Sequence, residues 1–241
     1  MTIYGINPVL EALRAGNVQS IRVSHRVDAR LSAVVDAARA AGVAVKRVAP
    51  GELDRASKGG VHQGVVAFVP DQESLSAEDL VTSAAGEPLI VVLDGIEDPH
   101  NVGAILRTVD AAGASGVVRQ QRHAAPLGGA TAKASAGAVS HVKVADVVNI
   151  ARTLEMLKDA GVWTVGLAGD AQKRYDQVDY TLPTALVVGA EGAGLRRLVR
   201  ERCDWLVSIP MQGHVQSLNV SVATGVVLFE AIRQRLNKHG T

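Results

Sequence analysis

Polar and charged side chains of the kind that hold a ligand gather in three short stretches. In DGIEDPHNVGAILRT (94–108), Asn101 and Arg107 follow Pro99, which cannot lie inside a strand. In VVGAEGAGLRR (187–197), glycines at 189, 192 and 194 surround a single carboxylate, Glu191. In IPMQGHVQSLNVSVA (209–223), Ser217, Asn219 and Ser221 crowd the first turns of an otherwise apolar helix. Glycines straight after a strand let the backbone take positive φ and approach a ligand closely. Polar residues at the start of a core helix either cap its free N–H groups or face a ligand. Each stretch also has a plainer reading. Asn101 is a good N-cap and Arg107 can pair with Asp110, the glycines can make a tight turn with a solvated glutamate, and Ser217 can cap the last helix. Capping by Ser217 leaves Asn219 and Ser221 unexplained, because both are poor formers inside a helix. The glycine spacing is not the dinucleotide fingerprint, and no Gly-Lys-Ser/Thr ending marks a phosphate loop.

The elements that carry these stretches alternate. LIVVLDG (89–95) is a continuous apolar run, as expected of a strand buried on both faces. A helix (NVGAILRTVDAAG), a strand (GVVR) and a Gly/Ala-rich segment at 128–138 follow. Next come a helix (VVNIARTLEMLKDAG), two strands (VWTVGLAG, TALVVG), a helix (GLRRLVRERC), a strand (DWLVSIP) and a terminal helix starting near Ser217. This order predicts an α/β fold, a mostly parallel sheet covered by helices. All three stretches are strand-to-helix junctions, where such sheets bind ligands. In the last helix, Leu218, Val222, Gly225, Phe229, Ile232 and Leu236 recur at spacings of four and three, and Val220, Ala223, Val227 and Ala231 form a second apolar face. A terminal helix apolar on two faces can bury one in its own core and one in a second copy, so a homodimer is expected.

Residues 1–70 read as a separate small α/β module, with helices at 6–16 and 29–42 and strands at 21–25, 43–48 and 64–69. The stretch 71–87 is acidic and rich in Ser and Ala, and prolines 70 and 88 bracket it. It reads as a linker with a short helix within 76–84. The net charge of +1 announces no nucleic-acid binder, but its distribution is uneven. The first 70 residues carry nine Lys and Arg against five Asp and Glu, and the linker carries five acids and no base. Arg22, Arg26, Arg30, Lys46, Arg47, Arg55 and Lys58 are the candidates for phosphate contact. Tyr4 and Phe68 are the only aromatics there, so extensive base stacking is not indicated. One cysteine, Cys203, excludes an internal disulfide framework and a multi-cysteine zinc site, and His100 and His214 lack metal-ligand spacing. No membrane span and no metal are expected, and a reducing, cytoplasmic setting is.

In this order and separation, DPHNVGAILRT, VVGAEGAGL and IPMQGHVQSLNVSVA resemble the three motifs of the SpoU (TrmH-type) RNA ribose 2′-O-methyltransferases of the SPOUT superfamily. KASAGA (133–138) is similar to a further family segment. The likeness covers essentially all of 88–241, and YGINPVLEAL and HQGVVAFV resemble the small L30e-like substrate-binding domain attached to many members. Among members, the two-domain layout is most similar to those that methylate a guanosine ribose in bacterial large-subunit rRNA. The resemblance implies a C-terminal α/β-knot domain with a trefoil knot, S-adenosylmethionine as cofactor, RNA as substrate, and a homodimer. Carried over residue by residue, the cofactor loops fall on Gly189, Ile209 and Leu218, with Met211 and Asn219 adjoining. The catalytic set falls on Asn101, Arg107, Glu191, Ser217 and Asn219, with Glu191 orienting Arg107 or the third loop. On this reading the polar residues of the last helix face cofactor and ribose. RQQRHAAPLGG (119–129) departs from the family by being more basic and glycine-rich. The alternatives are a relative acting on another rRNA site or on tRNA, and a non-catalytic RNA-binding assembly factor.

Overall fold

The computed structural model describes residues 1–26, 28–70, 75–122 and 124–238. Residues 71–74 of the expected linker, His123 of the basic stretch and residues 239–241 lie outside them. The chain forms two compact units. One comprises Met1–Glu73, Val102–Arg107 and Ala125–His141, and the other Ser74–Asn101, Thr108–Ala124 and Val142–Thr241.

The first unit begins with β1 (Thr2–Tyr4), α1 (Ile6–Arg14), β2 (Ser20–Ser24), α2 (Ala29–Ala40), β3 (Ala44–Val48), α3 (Pro50–Ala56) and β4 (Val65–Phe68). Its sheet runs β1-β4-β2-β3, antiparallel except for the β2–β3 pair. Gly5, with φ near +95°, leads into α1 and has no side chain to cap it, so the Gln63 Oε1 accepts from the Ile6 N–H at 3.0 Å instead. Asp28 caps α2 through the Leu31 N–H. Tyr4, Val48, Leu53 and Val66 form one core cluster, with Ala56 and Phe68 packed on it. The sequence reading missed β1 and α3 for a physical reason. Three residues show no alternation, and α3 buries only Leu53, so neither has a period to detect.

The chain continues through α4 (Ala77–Thr82), β5 (Leu89–Asp94), α5 (Pro99–Ala111), β6 (Gly116–Gln120), α6 (Ala130–Ala134) and β7 (Val144–Val147). It then forms α7 (Ile150–Asp159), β8 (Trp163–Leu167), β9 (Lys173–Arg174), β10 (Thr184–Gly189), α8 (Arg197–Arg202), β11 (Trp205–Ser208) and α9 (Val220–Lys238). The second unit is built on a seven-stranded sheet, order β7-β6-β5-β10-β8-β11-β9, parallel throughout. Every residue of β5 is buried, as its unbroken apolar run requires at the centre of such a sheet. Within 71–87, α4 carries a Ser76/Asp79 capping box and buries Ala77 and Leu80 in the core with Ile90, Val92 and Leu154.

The Gly/Ala-rich segment belongs to the first unit, where α6 packs against β1 and α1. Small residues there permit a close crossing with α5. A Cβ on Gly103 would lie 2.5 Å from the Ala134 Cβ. Two expected helix starts are corrected. Asp98, not Asn101, caps α5, accepting from the His100 N–H at 2.9 Å, so Asn101 sits inside the first turn. α9 starts at Val220 rather than near Ser217, and its cap is Asn219, whose Oδ1 accepts from the Ser221 N–H at 2.9 Å.

Candidate active site

At the carboxyl ends of β8, β10 and β11 lies a cavity of about 440 Å³. Residues 167–169, 188–192, Gly194 and 207–211 form its strand-end walls, and 216–218 with Val220 and Ala223 of α9 complete it. The loop after β10 can turn this tightly only with glycine at three positions. Gly192 and Gly194 have φ near +76° and +68°, and a Cβ on Gly189 would lie 2.1 Å from the Gly194 carbonyl carbon. The expected cofactor residues Gly189, Ile209, Met211 and Leu218 all line the cavity, as do Glu191 and Ser217; Asn219 does not.

The polar residues of the three stretches form a directional chain of hydrogen bonds. Asn101 Nδ2 donates to Glu191 Oε2 at 3.3 Å, and Asn219 Nδ2 donates to Asn101 Oδ1 at 2.9 Å. Asn219 Oδ1 then accepts from the Ser221 N–H and, at 2.6 Å, from the Ser221 hydroxyl. A carboxylate accepts only, so it turns the amide of Asn101 outward nitrogen first. That leaves the Asn101 oxygen for Asn219 and the Asn219 oxygen for the helix. The three polar residues thus differ in place. Asn219 caps α9 and donates to Asn101, Ser221 partners Asn219, and Ser217 lines the cavity.

Arg107 is exposed on α5 and belongs to the first unit. Among the described residues it makes no ion pair with Asp110, and Glu191 hydrogen-bonds to Asn101. The seven N-terminal basic residues do not share one face. Strand alternation sends Lys46 and Arg47 to opposite sides of the sheet, Arg22 lies over the Phe68 ring at 4.7 Å, and Arg26, Arg30, Arg55 and Lys58 are exposed. Arg119, in the basic stretch, pairs with Asp146 across β6 and β7. His100 and His214 are exposed. Burial pushes the Cys203 thiol up to about 12, which removes it as a nucleophile. Among the described residues no group of three or more His, Cys, Asp or Glu is placed to hold a metal, and no helix is long and apolar enough to cross a membrane. The wall at 167–169 escaped the sequence reading, because apolar and glycine residues at a strand end mark no pattern.

Comparison with known proteins places this geometry. Residues 88–229 match the SpoU rRNA Methylase family, and residues 2–75 match the RNA 2′-O ribose methyltransferase substrate binding family. The chain is 46% identical over 245 residues to the 23S rRNA (guanosine-2′-O-)-methyltransferase RlmB of Pseudomonas syringae pv. tomato, covering 98% of this chain and 96% of that one. The enzyme of the same name from Photobacterium profundum is 44% identical, with 97% of each chain covered. Among solved structures, the SpoU methyltransferase AviRb of Streptomyces viridochromogenes in complex with the cofactor AdoMet superposes with a TM-score of 0.82 at 26% identity, covering 98% of this chain and 91% of that one.

Proposed function

The chain belongs to the SpoU rRNA methylase family, and we infer that it transfers a methyl group from S-adenosylmethionine to the ribose 2′-oxygen of a guanosine in 23S rRNA. The observation that carries this reading is that the second and third stretches line one strand-end cavity while Asn101 of the first is hydrogen-bonded to both. The cavity fits the cofactor in size and lining. A cavity of about 440 Å³ at three strand ends, lined by apolar side chains together with glycine backbone, suits a purine nucleoside with a short charged tail. Gly189, Ile209, Met211 and Leu218 would hold its adenine and ribose. When bound, S-adenosylmethionine supplies a methyl group already activated on a sulfonium.

The protein's own tasks are then positioning the ribose oxygen and managing its charge and proton. Ser217 offers a hydroxyl at the cavity to orient the ribose. The Glu191–Asn101–Asn219 chain fixes the loops around it. Arg107 acts as a cation that grips a substrate phosphate and stabilises the developing alkoxide. A guanidinium, with a pKa above about 12, is a poor proton acceptor, so the substrate phosphate or a water takes the proton.

Residues 1–70 serve as the RNA-binding domain, 71–87 as connector and 88–241 as the methyltransferase domain. Arg22, Arg26, Arg30, Lys46, Arg47, Arg55 and Lys58 contact phosphates. The family likeness supports a trefoil knot in the second domain. Val222, Phe229 and Leu236, half-exposed at seven-residue spacing along α9, support a homodimer through that helix. An rRNA substrate and the lack of a membrane-crossing helix among the described residues support a cytoplasmic location. The test is methyl transfer from labelled S-adenosylmethionine to large-subunit rRNA, with digestion to nucleosides. Label in 2′-O-methylguanosine is expected. Cofactor binding without transfer to rRNA would point to another RNA or an assembly role, and absence of cofactor binding would overturn the reading.

A further inference from the structure

One ion pair near the cavity, between a buried carboxylate and a half-exposed guanidinium, is not used by the chemistry above. Asp94 ends β5 and is 1% exposed, in register with Gly189 at the end of the neighbouring β10. Both of its carboxylate oxygens are taken by one residue. The Arg196 N–H donates to Oδ2 at 2.8 Å and Arg196 Nε donates to Oδ1 at 2.6 Å, while Arg196 Nη2 also meets Oδ1. Arg196 is the residue just before α8 and closes the glycine loop that began at Gly189.

The loop is thus pinned at both ends to the same place. At its start, Gly189 is hydrogen-bonded into the sheet beside Asp94; at its close, Arg196 is fastened to the Asp94 side chain. Between them, the Gly194 N–H donates to the Ala190 carbonyl at 2.8 Å and draws the loop into a tight ring. Five residues of this ring, Gly189, Ala190, Glu191, Gly192 and Gly194, line the cavity, and Glu191 begins the hydrogen-bond chain to Asn101 and Asn219. The segment that leads from Asp94 through Gly95 carries Asn101 itself. One carboxylate therefore fixes the origin of the first stretch and the end of the second. A carboxylate buried this fully is costly without its partner, so the pair holds one geometry.

We propose that Asp94 and Arg196 are positioning residues that latch the glycine loop in the shape that binds S-adenosylmethionine and presents Glu191 to Asn101. This rests on the methyltransferase reading given above. A lysine at 196 keeps the charge and the backbone N–H but not the Nε and Nη2 pair that closes on Oδ1, and an asparagine at 94 keeps the shape but only one acceptor.

The test compares wild type with Arg196→Lys, Arg196→Ala and Asp94→Asn. S-adenosylhomocysteine and S-adenosylmethionine binding are measured by calorimetry at a temperature where thermal melts show each variant folded, and methyl transfer is measured at saturating cofactor. The expected result is a cofactor Kd raised at least tenfold in Asp94→Asn and Arg196→Ala, with Arg196→Lys in between. Melting temperature alone falling, with Kd and the saturated rate unchanged in folded Arg196→Lys and Asp94→Asn, would reduce the pair to scaffolding and overturn the proposal. Wild type that binds neither cofactor form would overturn the methyltransferase reading instead.

Discussion

Asn219 is the residue at which capping and site chemistry can be separated. Its Oδ1 caps α9 through the Ser221 N–H, and its Nδ2 donates to Asn101. Asn219→Ala removes both. A lost cap costs about 1 kcal/mol and a lost neutral hydrogen bond about 1 kcal/mol. For a chain of this size a total of roughly 2 kcal/mol corresponds to a fall in Tm of about 4–8 °C. Asn219→Asp keeps the capping oxygen and loses only the donor. An anion at a helix N-terminus returns about 0.3–1 kcal/mol, so its Tm should stay within about 4 °C of wild type. The site tells the two variants apart from a mere cap. Asn101 cannot turn its amide over to serve the new carboxylate, because Glu191 holds its Nδ2. The aspartate then sets lone pairs against lone pairs and pushes Asn101 and the third loop apart. Single-turnover methyl transfer, measured where all variants are folded, should fall at least tenfold in Asn219→Asp despite its near-normal Tm. Wild-type turnover in that variant would refute the relay and leave Asn219 a cap only.

Three further outcomes are expected. Arg107→Lys should lose methyl transfer by more than about tenfold while cofactor Kd holds, since a point charge does not replace a planar fork; near-normal turnover would remove Arg107 from the chemistry. Phe229→Asp, on the half-exposed stripe of α9, should sediment as a monomer where wild type sediments as the proposed dimer, and a dimeric variant or a monomeric wild type would refute dimerisation through that helix. Burial opposes ionisation of Asp204, but hydrogen bonds from Lys158 and from the Thr164 N–H and hydroxyl outweigh it and hold the carboxyl below its usual range. A carboxylate depressed by folding contributes stability above its unfolded pKa of about 3.9 and loses it as pH falls through the lower folded value. Asp204→Asn should therefore melt below wild type at neutral pH, with the gap closing as pH drops below about 4; a gap that is the same at both ends would contradict the assignment.

What the sequence made legible follows from how far apart the determining residues lie. Apolar runs such as LIVVLD state their own burial, so β5 and β10 could be read locally, as could α2 from the helical spacing of Leu31, Val34, Val35 and Ala38. The residue types of the site were also local, because glycine around Glu191 and polar groups before Val220 stand out against their neighbours. Short elements escaped: β9 has two residues, and β7 has Ala145 and Asp146 at its centre in place of the apolar runs that mark the equally short β4 and β11, so the sheet order supplies their place instead. Helix starts were misassigned for a related reason. Asp98, Asn101, Ser217 and Asn219 are all good caps by type, and only the fold decides which of them meets a free N–H.

Orientation was beyond any local reading. Glu191 reaches Asn101 across 90 residues of chain, and Asn219 reaches it across 118. A sequence supplies two amides and a carboxylate without saying which end of each amide faces the other. Once the parallel sheet brings them together, the carboxylate leaves one choice, because an acceptor that cannot donate sets the direction of every bond after it. The helix N-terminus at Ser221 sets the same direction from the opposite end, since an N–H that cannot accept needs an oxygen on Asn219. Two fixed ends with two amides between them admit a single arrangement. That agreement gives the three loops one shared geometry, and it makes a lone isosteric change at Asn219 a sharper probe of the site than deletion of any side chain within it.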